Sequence, residues 1–143
     1  MIYVDTSSLL KLIFIEKFSD EVLKQIEIES LVIVSEITRL ESDVQLRARR
    51  LGGLYGDAGL AKAQSRLAVL LSRPPFELVD ISAGLFKIAL RQHKDSEIHC
   101  RTLDRLHLAT MEELEIRKLM THDFRQADAA RDLGIEIVMP GVN

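Results

Sequence analysis

Four carboxylic acids stand out by type and position: Asp5, Glu41, Asp104 and Asp123. Asp5 closes a short apolar run in VDTSS, and Asp123 closes another in LMTHD. In open parallel sheets, sites form beyond the carboxyl ends of strands, where both acids would stand. Glu41 belongs to a segment in which Ile37, Leu40, Val44, Ala48 and Leu51 recur at helical spacing. On a helical wheel it falls about 40° from Ile37, at the edge of a stripe that reads as the buried face. A charge there is costly unless it is paired or bound to a cation. Asp104 sits in the first turn of a helical segment, RTLDRLHLATM, where the helix dipole alone would favour an acid. Taken singly, each acid has a plain structural reading: solvated loop acids for Asp5 and Asp123, a salt bridge for Glu41, a dipole partner for Asp104. Taken together, four carboxylates without clustered Cys or His suit a hard cation, Mg²⁺ or Mn²⁺. Such an ion activates water and stabilises in-line displacement at a phosphodiester. Thr6 and Thr121 lie close in sequence to Asp5 and Asp123 and could orient a ligand or a water. His107, one turn after Asp104, could reach metal or substrate, although a hydrogen-bonded structural histidine is the commoner role.

These acids need a scaffold. Ile2–Val4, Leu31–Val34, Phe76–Val79, Leu119–Thr121 and Ile135–Val138 are short, β-prone and apolar, as buried strands are. Between them run helical patterns. One covers Leu9–Ile13 with Thr6 or Ser7 as its cap, and another Ser19–Ile28. A long one runs from Glu36 to Leu51, capped by Ser35 and stopped by Gly52-Gly53. Others fit Asp57–Leu71, Ser82–His93 and Leu103–Glu115, and a last one ends at Leu133 before Gly134. Strands alternating with helices predict an α/β fold, a parallel sheet wrapped by helices.

Composition sets bounds. The 143 residues predict one domain, and 47% hydrophobic residues supply a core built from aliphatic side chains, since Trp is absent. A formal net charge of −3 is not the footprint of a polyanion binder. Bound cations would reverse the local sign at an acid-lined site. Arg39, Arg47, Arg49 and Arg50 form the best basic cluster, on the helix of Glu41. They could contact phosphates without reading sequence, and a solvated helix face is the alternative. Cys100 is the lone cysteine, which fits a reducing cytoplasm. No run approaches the ~20 apolar residues of a membrane helix, and MIYVDTSSLL lacks the basic start of a secretory signal. A cytoplasmic protein is expected.

The chain resembles the PIN domains, specifically the VapC-like toxins of toxin–antitoxin pairs. VDTSSLLKL is similar to the family's first acidic motif, with Asp5 and the hydroxyls of Thr6 and Ser7. SEITRLES is similar to the second, with Glu41; RTLDRLHLATM to the third, with Asp104 and His107; THDFRQADAARDLGI to the fourth, with Asp123. The resemblance spans essentially the whole chain and implies a sheet of four or five parallel strands over a single domain, residues 1–143. It also implies a homodimer, a Mg²⁺- or Mn²⁺-dependent endoribonuclease acting on RNA, and a cognate antitoxin that blocks the site. The helix Asp57–Leu71, with the one before it, could clamp an amphipathic antitoxin helix. A PIN fold that only binds RNA or protein is the alternative. A haloacid-dehalogenase phosphatase needs a second Asp where Ser7 stands, and a receiver domain wants paired acids after the first strand. Both requirements fail here.

Overall fold

A computed structural model describes residues 1–142. Five strands, β1 (Ile2–Val4), β2 (Val32–Ser35), β3 (Phe76–Val79), β4 (Lys118–Met120) and β5 (Glu136–Val138), form one parallel sheet in the order β3-β2-β1-β4-β5. The helices are α1 (Thr6–Phe14), α2 (Ser19–Glu27), α3 (Glu36–Leu51), α4 (Asp57–Leu71), α5 (Leu85–Asp95), α6 (Thr102–Glu113) and α7 (Phe124–Asp132). The α/β expectation is met, with five strands.

Alternation along β1 builds the two faces of the core. Ile2 and Val4 pack with Leu9, Val22, Val34 and Leu46 on one side. Tyr3 packs with Ile33, Leu108, Met111 and Leu119 on the other. The three β1 side chains are fully buried, so neither face tolerates a shift of register by one residue. Each such aliphatic side chain contributes about 1.5–3 kcal/mol relative to exposure. A smaller cluster of Ile37, Leu85, Ala89, Leu106 and Ala109 ties α3, α5 and α6 together.

Three expectations are corrected. The cap of α1 is Asp5 rather than Thr6 or Ser7: its carboxylate accepts from the backbone N–H of Ser8. Helix α5 begins at Leu85, not Ser82, because the Ser82 hydroxyl instead holds the preceding turn by accepting from the Gly84 N–H at 3.1 Å. Apart from Ile37, the stripe of α3 that reads as buried faces outward. Leu40, Val44 and Leu51 are 64%, 54% and 67% exposed, and Ala48 is exposed too. The buried face carries Ile37, Thr38, Ser42 and Leu46. Small hydroxyl side chains let α3 approach β1, and Thr38 Oγ1 reaches the Val4 carbonyl at 3.4 Å.

Candidate active site

Strands β1 and β4 are parallel neighbours, so their carboxyl ends open side by side. Each runs into a helix whose N-cap is an acid: Asp5 before α1 and Asp123 before α7. The backbone fixes the pair, since the Asp5 N–H donates to the Met120 carbonyl at 3.1 Å. Two helix N-termini therefore direct N–H groups without intrahelical partners, and positive dipole ends, at the same edge.

Asp5 is 4% exposed. Its carboxylate accepts from the Ser8 N–H at 3.0 Å, from the Ser7 hydroxyl at 2.8 Å and from Thr121 Oγ1 at 2.7 Å. Burial pushes this carboxyl above its ordinary range, against the pull of those donors and of nearby His107. Thr121 Oγ1 also accepts from the Asp123 N–H at 3.0 Å, so one hydroxyl joins both N-caps. Asp123 in turn accepts from the N–H groups of Arg125 at 2.9 Å and Gln126 at 3.3 Å.

Glu41 reaches the same edge from α3. It accepts from Thr6 Oγ1 at 2.6 Å and from His107 Nε2 at 2.8 Å. Burial alone would raise its pKa, but the bonds from His107 and Thr6 and the nearby Arg101 charge hold it below the usual carboxylate range. His107 is itself anchored: Nδ1 lies 2.7 Å from the Tyr3 hydroxyl, which lies 2.6 Å from Ser35 Oγ. A carboxylate can only accept, so Nε2 carries the proton, and in the neutral ring Nδ1 accepts from Tyr3. The tautomer and the Glu41 position are thus set from the core outward. Burial also raises the Tyr3 pKa, keeping the phenol protonated and able to donate.

Asp104, 6% exposed, lies in the first turn of α6. It accepts from the Arg101 backbone N–H at 3.2 Å and from Arg101 Nε at 2.9 Å. The same guanidinium also donates to Asp123. Thr121 and Arg101 therefore join Asp5, Asp123 and Asp104, and Glu41 meets this edge through Thr6, the residue after Asp5. Among the described residues, no three acid, histidine or cysteine side chains are already set round one ion. The donor set still fits a hard cation, because it offers carboxylate and hydroxyl oxygens and no thiolate. Arg101, seated between Asp104 and Asp123, marks where these acids call for positive charge.

The PIN domain family matches residues 2–132. The chain belongs to the PIN domain family. Ribonuclease VapC46 of Mycobacterium tuberculosis is 30% identical over 146 residues, covering 97% of this chain and 97% of that protein. Ribonuclease VapC35 of the same species is 31% identical over 147 residues, covering 99% and 98%. Among solved structures, VapBC2 from Rickettsia felis, bound to a DNA fragment from its promoter, superposes with a TM-score of 0.72 at 17% identity. That match covers 96% of this chain and 98% of the other. Mycobacterium tuberculosis VapC20, a Sarcin-Ricin loop cleaving toxin, gives 0.70 at 17% identity, covering 90% and 95%.

Within this PIN fold, sequence reasoning missed Arg101, Tyr3 and the second role of Ser35. Arg101 carried one readable signal: it stands three residues before Asp104 at a helix start, where such pairs meet. The predicted basic cluster is largely engaged elsewhere. Arg39 pairs with Glu36, Arg49 with Glu16 and Arg50 with Asp57, each at 2.7 Å.

Proposed function

We propose that this PIN-domain chain is a divalent-metal-dependent endoribonuclease, the toxin of a toxin–antitoxin pair, built as one domain over residues 1–143. The observation that carries it is the gathering of Asp5, Asp123 and Asp104 through Thr121 and Arg101 at the carboxyl edge of β1 and β4, with Glu41 held beside them by Thr6. The names of the full-length relatives support ribonuclease activity. The four acids would hold Mg²⁺ or Mn²⁺. When bound, such an ion supplies a water of lowered pKa and offsets charge on the scissile phosphate. Thr121 and Ser7 fix the Asp5 carboxylate, while Thr6 and His107 fix Glu41. The N-termini of α1 and α7 favour an anionic group at this edge.

One observation favours the second reading, an RNA- or protein-binding module without cleavage: Arg101 already pairs with two of the acids. RNA cleavage by partner-free protein separates the readings. Products in Mg²⁺ or Mn²⁺ but not in EDTA are expected, with a fall of at least about 10–100-fold in Asp104→Asn. RNA bound but uncut in every metal favours the second reading.

Two surfaces support the partners. Helices α3 and α4 enclose a groove lined by Leu40, Leu67, Leu71 and Leu78 with Arg39 and Asp43 at its rim, suited to an amphipathic antitoxin helix. TM-scores near 0.7 with toxin–antitoxin complexes support such a partner. Val44, Ile81 and Leu103 line a second apolar recess beside Glu41, which supports a homodimer across that face. Among the described residues, no helix is long and apolar enough to cross a membrane, which is compatible with a cytoplasmic toxin.

A further inference from the structure

Arg101 is the N-cap residue of α6, and its side chain does more than start the helix. Its Nε lies 2.9 Å from Asp104 Oδ2 and its Nη2 lies 3.4 Å from Asp104 Oδ1. The same Nη2 donates to Asp123 Oδ2. Among the described residues, no other Lys or Arg side chain bonds to any of the four acids. The Arg101 charge also contributes to holding the Glu41 carboxyl below its ordinary range.

Arg101 bonds carboxylate oxygens of Asp104 and Asp123, two of the acids that would hold a hard divalent ion. Each cation weakens the hold of the other, because like charges at such a distance repel. Exposure decides which gives way. The Arg101 side chain is 61% exposed, against 9% for Asp104 and 25% for Asp123. The acids are held by the fold, whereas the guanidinium has solvent to move into. Its backbone N–H can stay on Asp104 as the helix start while the fork swings away. Exposed ion pairs are weak, so their exchange for a divalent ion is easy.

We propose that Arg101 is an exchangeable counter-cation of this site. It holds Asp104 and Asp123 together while no divalent ion is bound, and a divalent ion competes with it for those carboxylates. This rests on the metal-dependent reading above. Arg101 then sets the metal concentration at which the site loads, and it keeps the unloaded acids from repelling one another.

The test titrates Mn²⁺ alone into partner-free wild type, Arg101→Gln and Arg101→Lys, read by calorimetry. Arg101→Gln is expected to bind about three- to tenfold more tightly, since its loss removes both the competing bonds and a positive charge. Arg101→Lys, which keeps the charge but not the fork, should lie closer to wild type. Arg101→Gln binding with wild-type or weaker affinity, in a wild type that does bind, overturns the proposal and leaves the metal-dependent reading standing. Heat from neither protein overturns both. A second measurement needs no variant: the Arg101 Nε–H resonance of wild type should move towards that of a free guanidinium as Mg²⁺ saturates. A resonance that stays fixed at saturation overturns the exchange.

Discussion

Asp5 carries its carboxylate where water hardly reaches it, at 4% exposure. Its pKa in the folded chain is raised, chiefly by burial. The folded state therefore keeps a proton over a range in which the unfolded chain has lost it. Stability falls as pH rises through that range, and the loss is complete above the folded value. Asp5→Asn removes this pH-dependent loss. In EDTA near neutral pH the variant should melt at or above wild type, with the advantage shrinking as pH drops into the ordinary carboxylate range. A lower melting temperature at neutral pH would mean that the bonds from Ser7, Ser8 and Thr121 to the charged form outweigh burial. Asp104→Asn should behave differently, because its Arg101 partner is largely exposed. It should lose roughly 0.3–1 kcal/mol in EDTA. Mn²⁺ should stabilise wild type by about 2.7 kcal/mol at 100 times its Kd and do little for either variant. The four acids were legible because each sits at an element start or a helix-wheel position where a charge needs a reason. Of Arg101 only the pairing with Asp104 was readable; its bond to Asp123 was not, because it exists only once β4 brings Asp123 beside Asp104.

Helix α3 links the core to the site through its first residues. Ser35 ends β2, caps α3 by accepting from the Thr38 N–H, and bonds the Tyr3 hydroxyl. From Tyr3 the chain of bonds runs through His107 to Glu41. Ser35→Ala should cost about 1–2 kcal/mol, the usual loss of a cap with a buried hydroxyl left short of a partner. It should also slow RNA cleavage, by less than the loss of an acid does. Urea denaturation and single-turnover cleavage check both, and an unchanged stability would remove Ser35 from this role. Helix order and the Ser35 cap were readable, because caps and β-branched runs are local signals. The buried side of α3 was not. Leu40, Val44 and Leu51 form the apolar stripe, yet Thr38 and Ser42 face the core. Close approach to β1 selected small side chains there, and that choice depends on a strand 34 residues away.

At the scale of the molecule, an outward apolar stripe asks for a cover. If a second copy covers it, Val44→Asp should yield monomers while changing protomer stability by no more than about 0.5 kcal/mol, as surface substitutions commonly do. Sedimentation velocity and melting curves read both effects. A wild type that already sediments as a monomer, or a variant that still pairs, would place the contact elsewhere. The sheet order has a different consequence, in time rather than in space. The first strand made is the central one, and β4, which completes its pairing, lies 116 residues further along as measured by the Thr121–Asp5 bond. Contacts of such long sequence separation form late in folding. During synthesis the emerging chain holds Asp5 and Glu41 long before Asp123 exists, and Arg101 has only Asp104 to bind. A ribosome making this fold therefore releases β1 and α3 well before the four acids can stand together at one edge.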